Sequence, residues 1–298
     1  VIDWKERPLR SLLFAPGNHA RRLERVSEFG ADAIVLDLED AVADTEKTLA
    51  RSMVREALPK YPEDLIVIVR VNGTTTGRTQ EDVDAIVCAD VDCIMVPKIE
   101  HADELIAVDK MIAAAEQRQG LPVGGIRMLA LVETALGLTR VEAICAGAPE
   151  RLVTIGFGAG DFTVDLGIDL TNNGREVMYA RSKIVIAARA AGLRAPMDGP
   201  FLHLQDIDHL IEDTQLSRQL GFDGRVVVYP PQVEHVHAAY SDLSPEEVDI
   251  VTKIVDQFEE ALTRDLASIQ VEGRFIDYPI YYRAKKKLGL YNALRGIA

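Results

Sequence analysis

Short, almost wholly apolar runs recur along the chain with amphipathic stretches between them. The runs fall at 12–15, 33–38, 65–72, 92–97, 127–133, 152–157, 194–197 and 226–229. Such runs lack a polar residue at every second position, which is the pattern of parallel strands buried on both faces. The stretches at 21–29, 45–58, 101–117, 136–145, 176–191 and 206–220 carry apolar residues at helical spacing. Strand-then-helix alternation reaching eight strands predicts an α/β fold, a (β/α)8 TIM barrel, in preference to an open doubly wound sheet. Pro16-Gly17, Asn72-Gly73 and the glycine-rich segments 120–125 and 156–160 place turn residues where elements should end.

The barrel is expected to occupy residues 1–240. A helical extension is expected over 241–298, closing the barrel or reaching a neighbouring subunit. Ser244-Pro245-Glu246-Glu247 has the form of a helix start, with a capping serine, proline in the first turn and glutamate three residues after the cap. Val248, Val251, Val255, Phe258, Leu262, Leu266 and Ile269 then form a stripe that must bury against something. A turn at Glu272-Gly273 and a last helix near 280–294 complete the reading.

Composition narrows the function. A length of 298 residues suits a barrel of roughly 250 residues with an addition. A formal net charge of −14 argues against nucleic acid as a partner and requires any anion site to gather its own Arg and Lys. Three cysteines without a CxxC pair argue against a disulfide framework or zinc knuckle and suit a reducing cytoplasm. No apolar run approaches the ~18 residues of a membrane helix, and the charged opening segment does not resemble a secretory signal. The six histidines are scattered, so zinc is not expected.

In a (β/α)8 barrel, chemistry sits at the C-terminal ends of the strands. Those ends carry Asp37, Glu39 and Asp40 after strand two, Arg70 and Asn72 at three, and Lys98 after four. Glu133 ends strand five, Asp161 follows six, Asp198 follows seven and Tyr229 closes eight. Converging carboxylates need protons or a cation, and Mg²⁺ takes one or two carboxylates with waters and substrate oxygens. Glu133 and Asp161, on successive strands, are the expected metal ligands, although Asp161 also suits a plain helix cap. Arg70 ends an apolar run where a charge is costly without a partner. It suits either bidentate capture of a substrate carboxylate or a buried ion pair with Glu39 or Asp40. Lys98 either neutralises Glu39 or Asp40 or meets substrate. Glu39 is taken as substrate-binding.

Several segments, in this order and spacing, resemble the citrate lyase β-subunit and malyl-CoA lyase family. The resemblance looks strongest toward the citramalyl-CoA and malyl-CoA lyases and runs from about Arg10 to Arg283. It rests on RSLLFAPGN (10–18), ADAIVLDLEDAV (31–42), EKTLAR (46–51), VRVN (69–72) and MVPKIE (95–100). LVETALGL (131–138), GAGDFTVDLG (158–167), YARSKIVIAARAAGL (179–193) and GRFIDYP (273–279) continue it. It implies a Mg²⁺ barrel with Glu133 and Asp161 as ligands and Arg70 as the clamp for a 2-keto acid, with Arg10 nearby. It implies coenzyme A, carried on the substrate, running over the first strand–helix loop near Phe14, Arg21 and Arg25. It implies that Asp277 enters a neighbouring subunit as catalytic acid/base in a homotrimer or hexamer. The pattern Gly-Lys-x-x-Ile-His-Pro-x-Gln of the family reads GRVVVYPPQ (224–232) here, with Arg225 and Tyr229 in place of Lys and His. The expected reaction is Mg²⁺-dependent carbon–carbon lysis or synthesis of a malyl-, citramalyl- or citryl-type thioester. Alternatives are malyl-CoA thioester hydrolysis, action as a citrate lyase subunit on an acyl-carrier thioester, or a non-catalytic keto-acid-binding or assembly subunit.

Overall fold

The computed structural model describes Trp4, residues 7–241 and residues 243–295. By backbone packing the chain divides into two units, Val1–Val236 and His237–Ala298. The first is a closed barrel of eight parallel strands in sequential order. Its strands are β1 (Ser11–Pro16), β2 (Ala33–Asp37), β3 (Ile66–Arg70), β4 (Cys93–Val96), β5 (Arg127–Val132), β6 (Leu152–Phe157), β7 (Met197–Asp198) and β8 (Gly224–Val227). The (β/α)8 expectation therefore holds. The helices of this unit are α1 (Ala20–Arg25), α2 (Lys47–Ala57), α3 (Thr79–Ile86), α4 (Ala102–Arg118), α5 (Ala135–Thr139), α6 (Val141–Ala146), α7 (Ala159–Leu166), α8 (Met178–Ala190) and α9 (Ile207–Leu220). The chain passes from one unit to the next within α10 (Gln232–Ser241).

Burial explains why these segments are strands. Along β2 and β4 every residue is buried. One alternating set, including Leu12, Ala33, Val35, Ile66, Ile68, Cys93, Met95, Leu129 and Leu131, packs into a single apolar cluster. Branched and bulky side chains from successive strands fill the barrel in this way, leaving a packed core and not a pore. In-register pairing sets strand ends side by side, Asp37 opposite Arg70 on β2 and β3.

Several elements differ from the sequence reading. β7 is only two residues long and starts at Met197, where the apolar run ends, because Pro196 cannot donate to a ladder. The long stretch expected at 136–145 is two short helices, broken at Arg140. The short helices α3 and α7 were not foreseen.

The second unit contains α11 (Pro245–Leu262), β9 (Ser268–Val271), β10 (Arg274–Asp277) and α12 (Tyr278–Arg295). Ser244 accepts from the Glu247 backbone N–H, and the Glu247 side chain reaches back to the Ser244 N–H, the capping box that the sequence predicts. The apolar stripe packs within the unit, where Val251, Ile254, Val255 and Phe258 meet Val271, Ile276 and Tyr281. The expected turn at Glu272-Gly273 closes an antiparallel β9–β10 hairpin. Among the described residues no helix is long and apolar enough to cross a membrane.

Candidate active site

Strand ends β2 to β6 carry a dense polar cluster. Asp37, the last residue of β2, is fully buried and receives both prongs of Arg70, Nε to Oδ1 at 2.6 Å and Nη2 to Oδ2 at 2.7 Å. The backbone N–H groups of Glu39 and Ala41 also donate to Asp37. Burial opposes the charge on Asp37, but Arg70 and these N–H groups outweigh it and lower its pKa. Burial likewise opposes the charge on Arg70, and Asp37, Glu39 and Glu133 outweigh it, keeping the guanidinium protonated. The guanidinium lies 5.0 Å from the Phe14 ring centre, over its face.

This corrects part of the sequence reading of Arg70. Its Nε/Nη2 fork, the natural receptor for a substrate carboxylate, is already filled by Asp37. The partner is the residue in register on the next strand, not Glu39 or Asp40 alone. Only Nη1 remains directed at the mouth, 3.1 Å from Glu39 Oε2.

Glu39 receives Lys98 Nζ on Oε1 at 2.7 Å, while its buried Oε2 has no hydrogen-bond partner. Burial raises the Glu39 pKa against the pull of Arg70 and Lys98. Lys98 also reaches Asp40 at 2.9 Å and lies 3.9 Å from Asp161. Lys98 adopts φ 53°, a left-handed conformation that costs a non-glycine residue of order 1–3 kcal/mol and clusters at functional sites. That backbone turn aims its N–H at Glu133 Oε1, 2.8 Å away.

Glu133 directly follows β5 and is only 1% exposed. Its pKa is pushed up to about 8, first by burial, then by the negative charges of Asp161 and Glu39, with Arg70 and the Lys98 N–H pulling the other way. Gly158 makes room for it: a Cβ there would lie 2.1 Å from Glu133 Oε2. Asp161 sits in the first turn of α7, whose N-cap is Gly158, so Asp161 is not the cap; its side chain is 44% exposed. The carboxylates outnumber the cations, and the surplus falls on Glu133, Asp161 and Glu39.

These groups suit a magnesium ion. Every donor is a hard carboxylate oxygen, as Mg²⁺ prefers, and no cysteine or histidine enters. Among the described residues no three His, Cys, Asp or Glu side chains form a ready cage. Mg²⁺ does not require one, since it keeps several waters and takes one or two carboxylates. A divalent charge here would remove the repulsion that raises Glu133.

The remaining candidates are dispersed. Arg10 lies just before β1, at the N-terminal end of the strands, where Asp32 holds its Nε at 2.8 Å, Nη2 at 2.7 Å and backbone N–H at 2.7 Å. The structure thus places it at the opposite end of the barrel from the mouth, which corrects the expectation that it stands near the keto-acid site. Phe14 is in the cluster through Arg70. Arg21 and Arg25 are exposed on α1, Arg25 paired with Glu28 at 2.9 Å. Asp277 lies in the second unit at the end of β10, half-buried, and accepts from the Ile280 N–H at 3.3 Å as a cap of α12. The sequence reading missed Asp37 as the holder of Arg70 and Gly158 as the seat of Glu133. The in-register β2 and β3 ends and the glycine after an apolar strand were the available signals.

The chain is similar in sequence and fold to known proteins. A family profile described as HpcH/HpaI aldolase/citrate lyase matches residues 10–230. The citrate lyase subunit beta of Leuconostoc mesenteroides subsp. cremoris is 38% identical, over 97% of this chain and 95% of that protein. A (3S)-malyl-CoA thioesterase of Cereibacter sphaeroides is 31% identical over 96% of each chain. The solved structure of CitE from Mycobacterium tuberculosis in complex with magnesium, acetoacetate and coenzyme A has a TM-score of 0.78 and 28% identity. That similarity covers 96% of this chain and 98% of that one.

Proposed function

Since the chain belongs to the HpcH/HpaI aldolase/citrate lyase family, we propose that it is a Mg²⁺-dependent carbon–carbon lyase. Its substrate in this reading is a malyl-, citramalyl- or citryl-type thioester, split into a 2-oxo acid and an acetyl thioester. The observation that carries the reading is the crowding of Glu133, Asp161 and Glu39, with Glu133 raised to about 8. Magnesium held by Glu133 and Asp161 would supply positive charge to the substrate carboxylate and the oxygen that becomes the keto carbonyl.

The chain's own residues set the rest. Arg70, fixed by Asp37 and Phe14, presents Nη1 to the keto-acid carboxylate and orients the scissile bond. Glu39 offers Oε2, whose close partner is the Arg70 Nη1 ion pair at 3.1 Å, to the substrate hydroxyl. Glu39 takes the hydroxyl proton, the O–H electron pair forms the keto carbonyl, and the carbon–carbon pair moves onto the thioester as an enolate. Asp277 of a neighbouring subunit protonates the enolate carbon, and in synthesis it removes that proton. The second unit would then serve a neighbour in a homotrimer or hexamer. Phe14, Arg21 and Arg25 would line the path of coenzyme A; Arg21 and Arg25 are exposed cations on an acidic chain. A cytoplasmic location suits the three free buried cysteines.

A second reading, a citryl thioester on an acyl carrier, is the one that the 38% identity to a citrate lyase subunit beta favours. Hydrolysis of malyl-CoA is the reading that the 31% relative favours. Incubation with malyl-, citramalyl- and citryl-CoA and Mg²⁺, with products identified by mass spectrometry, separates them. We expect equal yields of a 2-oxo acid and acetyl-CoA, abolished by EDTA and restored by Mg²⁺. Turnover indifferent to complete metal removal would refute the proposal. Free malate without glyoxylate would convert it to the thioesterase reading.

A further inference from the structure

We propose that a closed ring of buried ion pairs behind β7 positions the metal-binding carboxylates, with Arg181 and Arg225 as positioning residues. The inference rests on Glu133 and Asp161 being the magnesium pair.

The ring can be traced bond by bond. Arg225, on β8, donates through Nε and Nη2 to the Gly199 carbonyl at 3.2 and 2.9 Å. The Gly199 N–H donates to Asp198 Oδ1 at 2.9 Å. Asp198 Oδ2 accepts from Arg181 Nη2, on α8. Arg181 Nη1 donates to Asp213 Oδ1 at 2.8 Å, and Asp213 Oδ2 accepts from Arg225 Nη2 at 2.8 Å. Thr214 Oγ1 takes the last prong, Arg225 Nη1, at 2.7 Å. Both arginines and Asp198 are no more than 3% exposed.

Two cations face two anions, so the ring has no charge to offer an ion. Buried pairs of this kind add little net stability over apolar packing. Their geometric effect is specific, however: the ring grips Gly199 by both its N–H and its carbonyl. Gly199 in turn abuts the turn between β6 and α7. A Cβ on it would lie 2.9 Å from the Phe157 carbonyl oxygen and 3.3 Å from the Ala159 nitrogen. The next residue in that turn, Gly158, backs Glu133, and the helix that begins at Ala159 carries Asp161. The ring thus fixes the wall against which both carboxylates are set. In this chain the ring is built on the arginine fork at 225, where the family pattern has lysine. A lysine ammonium keeps the charge but cannot span Asp213, Thr214 and the Gly199 carbonyl in one plane.

The test is calorimetric titration of Mg²⁺ into the metal-free full-length protein, alongside thermal melting. Gly199→Ala pushes one methyl against the turn with the ring chemically intact, and Arg225→Lys opens the fork. Each is expected to weaken Mg²⁺ binding by ~10–100-fold, as outer-shell changes do, while melting cooperatively. Arg181→Lys is expected to follow Arg225→Lys. Glu133→Gln is the reference and should abolish binding. If it does, and Gly199→Ala and Arg225→Lys bind Mg²⁺ as the wild type does, the ring proposal is overturned and the metal pair stands. If Glu133→Gln binds normally, the metal pair itself is wrong and the inference goes with it. Loss of cooperative melting in both ring variants also overturns it, since the ring would then be holding the fold and not the turn.

Discussion

Two ionic clusters stand at the barrel, one partly exposed at the mouth and one buried behind β7, and they differ in charge balance. At the ends of β2 to β6, among the described residues, Asp37, Glu39, Asp40, Glu133 and Asp161 share two cations, Arg70 and Lys98. Behind β7, Asp198 and Asp213 face Arg181 and Arg225 in a closed circuit. In the second cluster each carboxylate has a guanidinium partner. In the first, burial and like charges drive Glu133 up to about 8. Density of charge alone does not mark a reaction centre. A deficit of counter-charge does, because the deficit is what a metal ion and substrate would fill.

The sharpest way to break this contrast is Glu133→Gln. It removes one negative charge and one oxygen donor while keeping shape, and turnover is expected to fall by ~10³-fold or more, with Mg²⁺ affinity lost. Steady-state rates across a Mg²⁺ series check this; full activity at high Mg²⁺ would remove Glu133 from the metal site. Next in size is Asp277→Asn. Loss of a proton donor is expected to cost ~10²-fold in turnover with Mg²⁺ affinity unchanged. If metal affinity moves as well, Asp277 belongs to the metal site and not to proton transfer. Arg70→Lys follows, with a ~10-fold rise in KM for the keto acid in the synthetic direction, because Asp37 keeps the ammonium and no third prong remains.

The barrel was readable because its strands are buried on both faces, as the unbroken apolar runs at 66–69 and 128–132 show. The site was readable in part for the same reason: Glu133 ends a run in which a charge has no packing role. What sequence could not supply was pairing across strands. Asp37 and Arg70 are far apart along the chain and meet only through the β2–β3 register. Without it, Arg70 suits either a substrate carboxylate or an ion pair with Glu39 or Asp40, and Asp37 is not singled out as its partner. Arg10, which the resemblance implies near the keto-acid site, lies at the entrance of β1, not its exit. The ring of Arg181, Asp198, Asp213 and Arg225 draws on β7, α8, α9 and β8, and no local pattern announces it. The β9–β10 hairpin is short and largely exposed, so it lacks the continuous apolarity that revealed the barrel strands.

The smallest effect expected is on stability and carries a definite sign. Glu133 has a folded-state pKa of about 8, against ~4.3 in an unfolded chain. The folded protein therefore binds the extra proton between those values, and metal-free stability declines as pH rises through that window. Glu133→Gln in EDTA should melt ~2–8 °C above wild type at pH 8 and close to it near pH 4.5. Mg²⁺ should narrow the gap at pH 8 by displacing the proton from wild type. Equal melting temperatures at pH 8 in EDTA would show that Glu133 carries no strained charge. The neutral ring offers the contrast, since Asp213 is lowered by Arg225 and Arg181 despite its burial. The proton that Asp213 would take up in the pH range below 4 should cost stability.

The most direct measurement is anomalous diffraction from a crystal soaked in Mn²⁺ and pyruvate, Mn²⁺ standing in for Mg²⁺. A metal peak is expected ~2.0–2.3 Å from carboxylate oxygens of both Glu133 and Asp161, with pyruvate oxygens completing the shell. A peak bound elsewhere, or no peak at this mouth at saturating Mn²⁺, would contradict the assignment of the uncompensated carboxylates to a divalent ion.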